Sequence, residues 1–387
     1  MKFLYLLLSL FCVSYSRAAL VESDRLKEYH ARNYTWPLPL ESYVPPTEGW
    51  KNLMEHRLRQ VSEIDTRRER YEGFVQTLNA AIVAPNFTQY GWGLAKAPDD
   101  LMEALRQGIR EGVEKGPSEE AVIQEIVGDH PPWFVDRPDL TKRVLEELQH
   151  FPETWVGLEL QPHRAYGFRL YRNNSQLFMH IDKSQTHIVS FILHIDSSDD
   201  AEPWPIAIED FQGNLHEVVL ASGDLLFYES SKVFHGRPRK FNGSWYSSVF
   251  VHYYPKYGWA ESDHDVEKHY AVPPIWHEDP KHHFEVPLEV LGTGMREPTC
   301  PNGWCQTQHS IYWDGKTTKS EHGKWIAPTG EKFDFVPKRV ECKDLDEQCP
   351  LWASWETDEC KKNPGFMLVH CKKSCNACTI PGGNDEL

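Results

Sequence analysis

The sequence predicts an α+β chain. Helices come first, an antiparallel β-sandwich or jelly roll follows, and a small disulfide-rich module ends it. Three observations carry this. Apolar residues recur with a period near 3.6 between residues 47 and 150. Short strand-like runs separated by turn residues fill 155–255. Eight of the nine cysteines lie at or beyond Cys300.

The helical signal is clearest from Glu48 to Ile82, where Leu53, Val61, Ile64, Tyr71, Phe74, Val75, Leu78 and Ile82 fall on one face. Asp99 and Asp100 can cap a helix carrying Leu101, Leu105, Ile109 and Val113. Pro117-Ser118-Glu119-Glu120 reads as another helix start, and Pro138-Asp139-Leu140 opens one reaching about His150. Residues 19–150 are therefore expected to be a mostly helical support. The strand-like runs are 167–171, 186–194, 204–208, 216–220, 224–228 and 245–254. Asn173-Asn174, Gly213-Asn214, Ser222-Gly223 and Asn242-Gly243 mark turns between them.

The 387 residues allow two or three domains. With 40% hydrophobic and 25% charged residues, the chain can build a packed core and is not wholly disordered. Lys and Arg number 41 against 57 Asp and Glu, a net charge of −16. That balance excludes binding nucleic acid through its phosphates, which needs a basic face. No stretch beyond the N-terminus approaches the ~18 apolar residues of a membrane span.

Residues 1–18 read as a signal peptide: Lys2, an apolar run from Phe3 to Val13, then small Ser16 and Ala18. Cleavage removes Cys12 and leaves an even number of cysteines, as an oxidising compartment favours. Asn33, Asn86, Asn173 and Asn242 head glycosylation sequons. The pair at 173 and 242 must sit at turn tips to be used. The terminal 384–387, Asn-Asp-Glu-Leu, resembles the address that retains soluble proteins in the endoplasmic reticulum lumen. Secretion is the alternative destination.

The chemistry is concentrated in Met179-His180-Ile181-Asp182. In a strand, residues two apart face the same way, so His180 and Asp182 offer a nitrogen and an oxygen to one point. His235, at the end of a later strand-like run, fits as third ligand. Two His and one carboxylate leave coordination positions open, the donor set of non-haem Fe(II) oxygenases. His264, His269, His277, His282 and His283 lie in an irregular Pro-, His- and Trp-rich segment, 257–341, and read as solvated loop residues.

The span from about His163 to Pro255 resembles the 2-oxoglutarate- and Fe(II)-dependent dioxygenases of the prolyl 4-hydroxylase superfamily. The matching text is Leu170-Tyr171, His180-Ile-Asp182, 186–190, 203–205, 223–230, His235-Gly-Arg237-Pro238 and 249–253. The resemblance implies a double-stranded β-helix (jelly roll) core at 151–256, with His180, Asp182 and His235 as iron ligands. It implies Fe(II), 2-oxoglutarate as co-substrate, O2 and L-ascorbate, and peptidyl proline as substrate, with a disulfide-isomerase-type partner in view. Related proteins place a Lys or Arg nine or ten residues after the second His to hold the distal carboxylate of 2-oxoglutarate. Ser244 and Trp245 stand there. Arg237 is the first candidate to replace that cation and Lys240 the second, since a guanidinium can bind a carboxylate bidentately. Tyr171 resembles a residue that hydrogen-bonds the co-substrate. A dioxygenase acting on another side chain or a small molecule, and a catalytically inactive binding protein of the same fold, are the alternatives.

The last six cysteines, Cys342, Cys349, Cys360, Cys371, Cys375 and Cys378, lie in a segment too short to bury a core of its own. Three disulfides are expected there, and spacing alone leaves fifteen pairings open. Cys300 and Cys305 could close a small loop. The text from Glu359 to Met367 and from Cys371 to Cys378 is similar to ShK-toxin-like domains. That likeness implies the pairings 342–378, 349–371 and 360–375.

Overall fold

The computed structural model describes residues 47–74, 81, 84, 86–121, 123–257, 259, 288–298, 310–314, 324–334, 344, 346–354, 357, 359–363, 367, 371 and 373–375. The signal-peptide segment, Asn33, the five loop histidines, Cys300, Cys305, Cys342, Cys378 and the 384–387 tail lie outside the described residues.

The chain opens with α1 (Glu48–Ser62), α2 (Arg67–Glu72), β1 (Trp92–Lys96), α3 (Asp99–Lys115), β2 (Ser118–Glu119), β3 (Ile126–Val127), β4 (Trp133–Val135), α4 (Pro138–Glu147) and α5 (His150–Val156). Eight strands then form the barrel: β5 (Leu160–Arg172), β6 (Gln176–His180), β7 (Val189–Ser197), β8 (Ile206–Glu209), β9 (Leu215–Val219), β10 (Asp224–Tyr228), β11 (His235–Arg237) and β12 (Trp245–Pro255). After them come β13 (Glu289–Leu291), β14 (Gly294–Arg296), β15 (Ser310–Asp314), β16 (Lys324–Ile326), β17 (Lys332–Asp334), α6 (Cys349–Trp352) and α7 (Glu359–Lys362).

One sheet has the order β17-β16-β1-β10-β7-β12-β5-β4-β2 and the other β13-β14-β6-β11-β8-β9-β15. From β5 to β12 the chain shuttles between them, placing β10-β7-β12-β5 opposite β6-β11-β8-β9. That connectivity is the jelly roll. Among the described strands only β15 and β9 pair in parallel. Inward residues of both sheets and the helices, such as Leu105, Phe168, Ile192, Ile208 and Leu226, form one apolar core.

The N-terminal region departs from the helical expectation in three ways. Its helix breaks after Ser62, and the Arg70 guanidinium donates to the carbonyls of Ile64 and Asp65 freed by the break. The segment at Pro117–Glu120 is strand β2 and not a helix start, because Arg169 and Tyr166 of β5 capture the Glu120 carboxylate and hold it at the sheet. β1 pairs with β10, and β4 with β5, so this region widens the barrel sheet as well as supporting it.

α1 is tied down by charge. Arg57 is buried and donates to Glu209 of β8 at 2.5 Å and to Glu297 at 3.0 Å. α3 buries Leu101, Leu105 and Ile109, one helical face. Gly108 on that face lets α4 approach, since a Cβ there would lie 2.5 Å from Leu140 Cδ1.

At the C-terminus, disulfides join Cys349 to Cys371 and Cys360 to Cys375. Cys349, Cys371 and Met367 form its small buried core. A disulfide-rich module therefore ends the chain, as its cysteine content requires.

The sequons divide by burial. Asn173 and Asn242 are exposed beside turns, close enough for the Gly243 amide to donate to the Asn173 side chain at 3.4 Å. Asn86 is a correction: it is 2% exposed, and Thr88 of the same sequon is bonded to buried Glu229. A glycan on its amide has no room in this fold. Peptide mapping of protein secreted from eukaryotic cells should find glycan at Asn173 and Asn242 and none at Asn86; modified Asn86 would contradict the packing.

Candidate metal centre

β6 and β11 are neighbours, and their register sets His180 directly opposite His235. Their rings lie 4.4 Å apart, centroid to centroid. His180 Nδ1 is 2.7 Å from the Phe178 carbonyl, and His235 Nδ1 is 2.8 Å from that of Val233. A carbonyl only accepts, so both Nδ1 atoms carry a proton, which leaves Nε2 of each ring as the atom placed to ligate a metal. Asp182 Oδ1 lies 3.7 Å from His180 Nε2 and 3.8 Å from His235 Nε2. The three donors fall within 4.8 Å of one another.

His180 and Asp182 do not share a strand as their spacing predicts. β6 ends at His180, so Asp182 is not on the strand. Its backbone amide instead donates to the Ser230 carbonyl at 2.8 Å, which turns the carboxylate back toward the two rings.

The residues fit a bound metal. Asp182 Oδ2 is buried and has no hydrogen-bond partner, an orphan that an ion would satisfy. Burial pushes the Asp182 carboxyl up to about 6, with the neighbouring His180 opposing that shift. Burial, then His180, holds His235 well below the ordinary imidazole range, so it stays neutral and able to ligate. Two imidazoles and one carboxylate suit Fe(II) and other divalent transition metals.

The sign of the pH dependence follows. Without metal, the folded chain holds the Asp182 proton more tightly than the unfolded chain, whose carboxyl titrates at 3.8. This contribution to stability is full below about pH 4 and lost as pH rises through about 6. Metal must displace that proton, so affinity should fall about tenfold per pH unit below 6 and level off above it. Calorimetric titration of Mn(II) between pH 5 and 7.5 measures this; a flat profile would contradict it.

Gly236 separates His235 from Arg237. A Cβ there would meet β6 main-chain atoms at 2.7–2.9 Å: Phe178 O, Leu177 O and Met179 Cα. Gly236→Ala should push β11 off β6, part the two histidines and weaken metal binding by at least about tenfold, at a stability cost of about 1–3 kcal/mol. Unchanged metal affinity would show that the register is not what sets the site.

The site opens on a cavity of about 620 Å³ lined by His180, Asp182, Tyr228, His235, Phe250 and His252, among others. Several of these contacts escaped the sequence reading. His252 lies 3.7 Å from Asp182 Oδ2 and 2.8 Å from Ser190 Oγ, and Ser190 bonds Ser230 at 2.6 Å. Burial, then His187, holds His252 well below its ordinary range. Period-two alternation along 249–253 was the available signal, since it sets Phe250 and His252 on one face. Tyr228 packs on His235 at 4.4 Å, and burial raises its phenol well above the ordinary value, so it stays protonated.

Two of the three co-substrate candidates come together. Arg237 follows His235 by two residues and is 1% exposed. Its guanidinium lies 4.6 Å from the Trp204 ring and 4.6 Å from the Tyr246 ring, and donates to the Trp204 carbonyl and the Tyr246 hydroxyl. Tyr171 packs edge-on against the same Trp204 at 4.9 Å. Among the described residues, no carboxylate lies within ion-pair distance of Arg237. Arg169 differs, since Glu120 pairs with it bidentately at 2.6 and 2.7 Å. Lys240 is a correction: β11 ends at Arg237, and Lys240 lies beyond it with its side chain exposed, whereas Arg237 is buried. Ser244 is also outside, its hydroxyl donating to Asp200 at 2.7 Å.

No protein-family profile matches this chain. The putative tyrosinase-like protein tyr-3 of Caenorhabditis elegans is 43% identical over 37 residues, 10% of this chain. The chain spans only 5% of that relative's length. Among solved structures, a prolyl 4-hydroxylase of Pseudomonas putida is similar at 17% identity, TM-score 0.34, covering 43% of this chain and 94% of its own. AviO1 of Streptomyces viridochromogenes Tue57 is similar at 15% identity and TM-score 0.34, covering 44% and 92%. HygX of Streptomyces hygroscopicus, solved with nickel, 2-oxoglutarate and hygromycin B, shows 14% identity and TM-score 0.34, covering 49% and 88%. The jelly roll rests on the strand order above and not on these superpositions. Among the described residues, no helix is long and apolar enough to cross a membrane.

Proposed function

We propose that this chain is an Fe(II)- and 2-oxoglutarate-dependent dioxygenase that hydroxylates peptidyl proline in the secretory pathway. One observation carries the reading: His180, Asp182 and His235 turn donor atoms to one point at a cavity, while Arg237, two residues beyond His235 on the same strand, is a buried cation with no carboxylate partner among the described residues. A buried unpaired charge is costly, and an anionic ligand removes that cost. The distal carboxylate of 2-oxoglutarate has the charge and planar shape for a guanidinium.

Each residue then has a task. His180, Asp182 and His235 hold the metal. Arg237 grips the co-substrate carboxylate, with the Tyr246 hydroxyl beside it and Tyr171 packed on Trp204. Tyr228, Ile192 and Phe250 keep the cavity poor in water. Iron with 2-oxoglutarate and O2 supplies oxidation of an unactivated C–H bond coupled to decarboxylation, with ascorbate keeping the metal reduced. No protein nucleophile is required.

The finer assignments rest on sequence. The leader, the even cysteine count and the retention-like tail support an endoplasmic reticulum lumen location, where a disulfide isomerase is available as partner. The two disulfides among the described residues, 349–371 and 360–375, agree with two of the three pairings that a ShK-toxin-like module implies. Purified protein with Fe(II), 2-oxoglutarate, ascorbate and Pro-rich peptides should yield succinate and a product heavier by one oxygen. Succinate without that product on any peptide would retain the dioxygenase and remove proline.

A further inference from the structure

The cavity mouth carries a charge pattern that the metal and co-substrate do not use. In a chain of net charge −16, three cations line the cavity: Arg164, Lys183 and Arg169. Arg164 stands on β5 opposite His252 in register, and Lys183 follows Asp182. Both are exposed, and after burial and His163 both add to disfavouring the protonated form of His187. Among the described residues, neither has a carboxylate within ion-pair distance. The other charges of the cavity are occupied. Arg169 is matched by Glu120, Asp182 belongs to the metal, and Glu125 Oε1 accepts from the Thr293 amide and hydroxyl at 2.8 and 2.9 Å.

Resting on the dioxygenase reading, we infer that the substrate presents a carboxylate to Arg164 and Lys183, supplied by an Asp or Glu flanking the peptide residue that enters the cavity. The placement argues for a peptide. The cations are exposed at the rim while the metal ligands are recessed, so the anionic group and the oxidised carbon belong to separate parts of one extended substrate. Adjacent residues of an extended chain provide that separation.

The test uses the full chain loaded with Mn(II) and 2-oxoglutarate and three labelled Pro-rich peptides of equal length, with Glu, Gln or Lys beside the central proline. Fluorescence anisotropy should rank them Glu, Gln, Lys, with about fivefold between the first two at low salt and the gap closing in 1 M NaCl. Arg164→Glu with Lys183→Glu should invert the order, which an unfolded protein could not do. Arg164→Gln with Lys183→Gln should abolish the ranking. Equal affinities in the unaltered protein, no peptide binding, or an order unchanged by charge reversal would overturn the proposal. So would loss of 2-oxoglutarate affinity in the reversed variant with the peptide order intact, which would move the pair to the co-substrate. Failure of 2-oxoglutarate to bind, with the charge ranking preserved, would instead refute the dioxygenase reading and leave this one standing.

Discussion

Asp182→Ala should eliminate succinate formation from 2-oxoglutarate and lower metal affinity by more than a hundredfold. Losing an outer-sphere partner of a metal ligand costs about 10–100-fold, and this change removes a ligand together with the one carboxylate of the three donors. The metal-free variant should fold at least as well as the parent above pH 6. There the parent carries a buried carboxylate whose Oδ2 has no partner, and alanine removes that cost. The combination distinguishes a ligand from a structural residue: stability held or raised, metal lost. Thermal melts with and without Mn(II) read both at once. A variant that melts far below the parent without metal, or that still shifts with Mn(II), would contradict the assignment.

Arg237→Met should raise the KM for 2-oxoglutarate by about a hundredfold or more, since truncating one side of a buried, hydrogen-bonded charge pair costs about 2–5 kcal/mol. The same variant without ligand should change little in stability. Its lost bonds to Trp204 and Tyr246 are offset by removal of a guanidinium buried without a carboxylate. Metal affinity should hold, because Arg237 touches none of the three donors. If instead 2-oxoglutarate binds normally to Arg237→Met, the aromatic-flanked cation is structural and another group holds the co-substrate.

The sequence showed the site more clearly than the path to it. His180, Asp182 and His235 were legible because few donor sets combine a close His-Asp pair with a later strand-end His. The two-residue spacing accounts for only part of the pair: Asp182 lies past the end of β6 and is aimed by the hydrogen bond from its backbone N–H to the Ser230 carbonyl, 48 positions on, which no local spacing reveals. Arg237 stands out in the sequence as a nearby guanidinium where Ser244 and Trp245 replace the expected cation, and its burial beside Trp204 and Tyr246 is what only the fold shows. Arg169 was not legible, because what neutralises it, Glu120, is 49 residues away and on a segment that looked helical. β1 was missed for a related reason. Trp92–Ala95 is buried throughout and shows no alternation, so it reads as neither an amphipathic strand nor a helix. The Asn86 sequon satisfies its motif and fails on burial, a property the three-residue pattern does not contain.

Calorimetric titration of 2-oxoglutarate into the full chain, with and without Mn(II), tests the central claim most directly. One molecule bound per chain in the presence of metal, far more weakly in its absence and equally weakly in Asp182→Ala, is the predicted result. No binding with Mn(II) present, or the same binding without it, would contradict a metal-centred co-substrate site between β6 and β11.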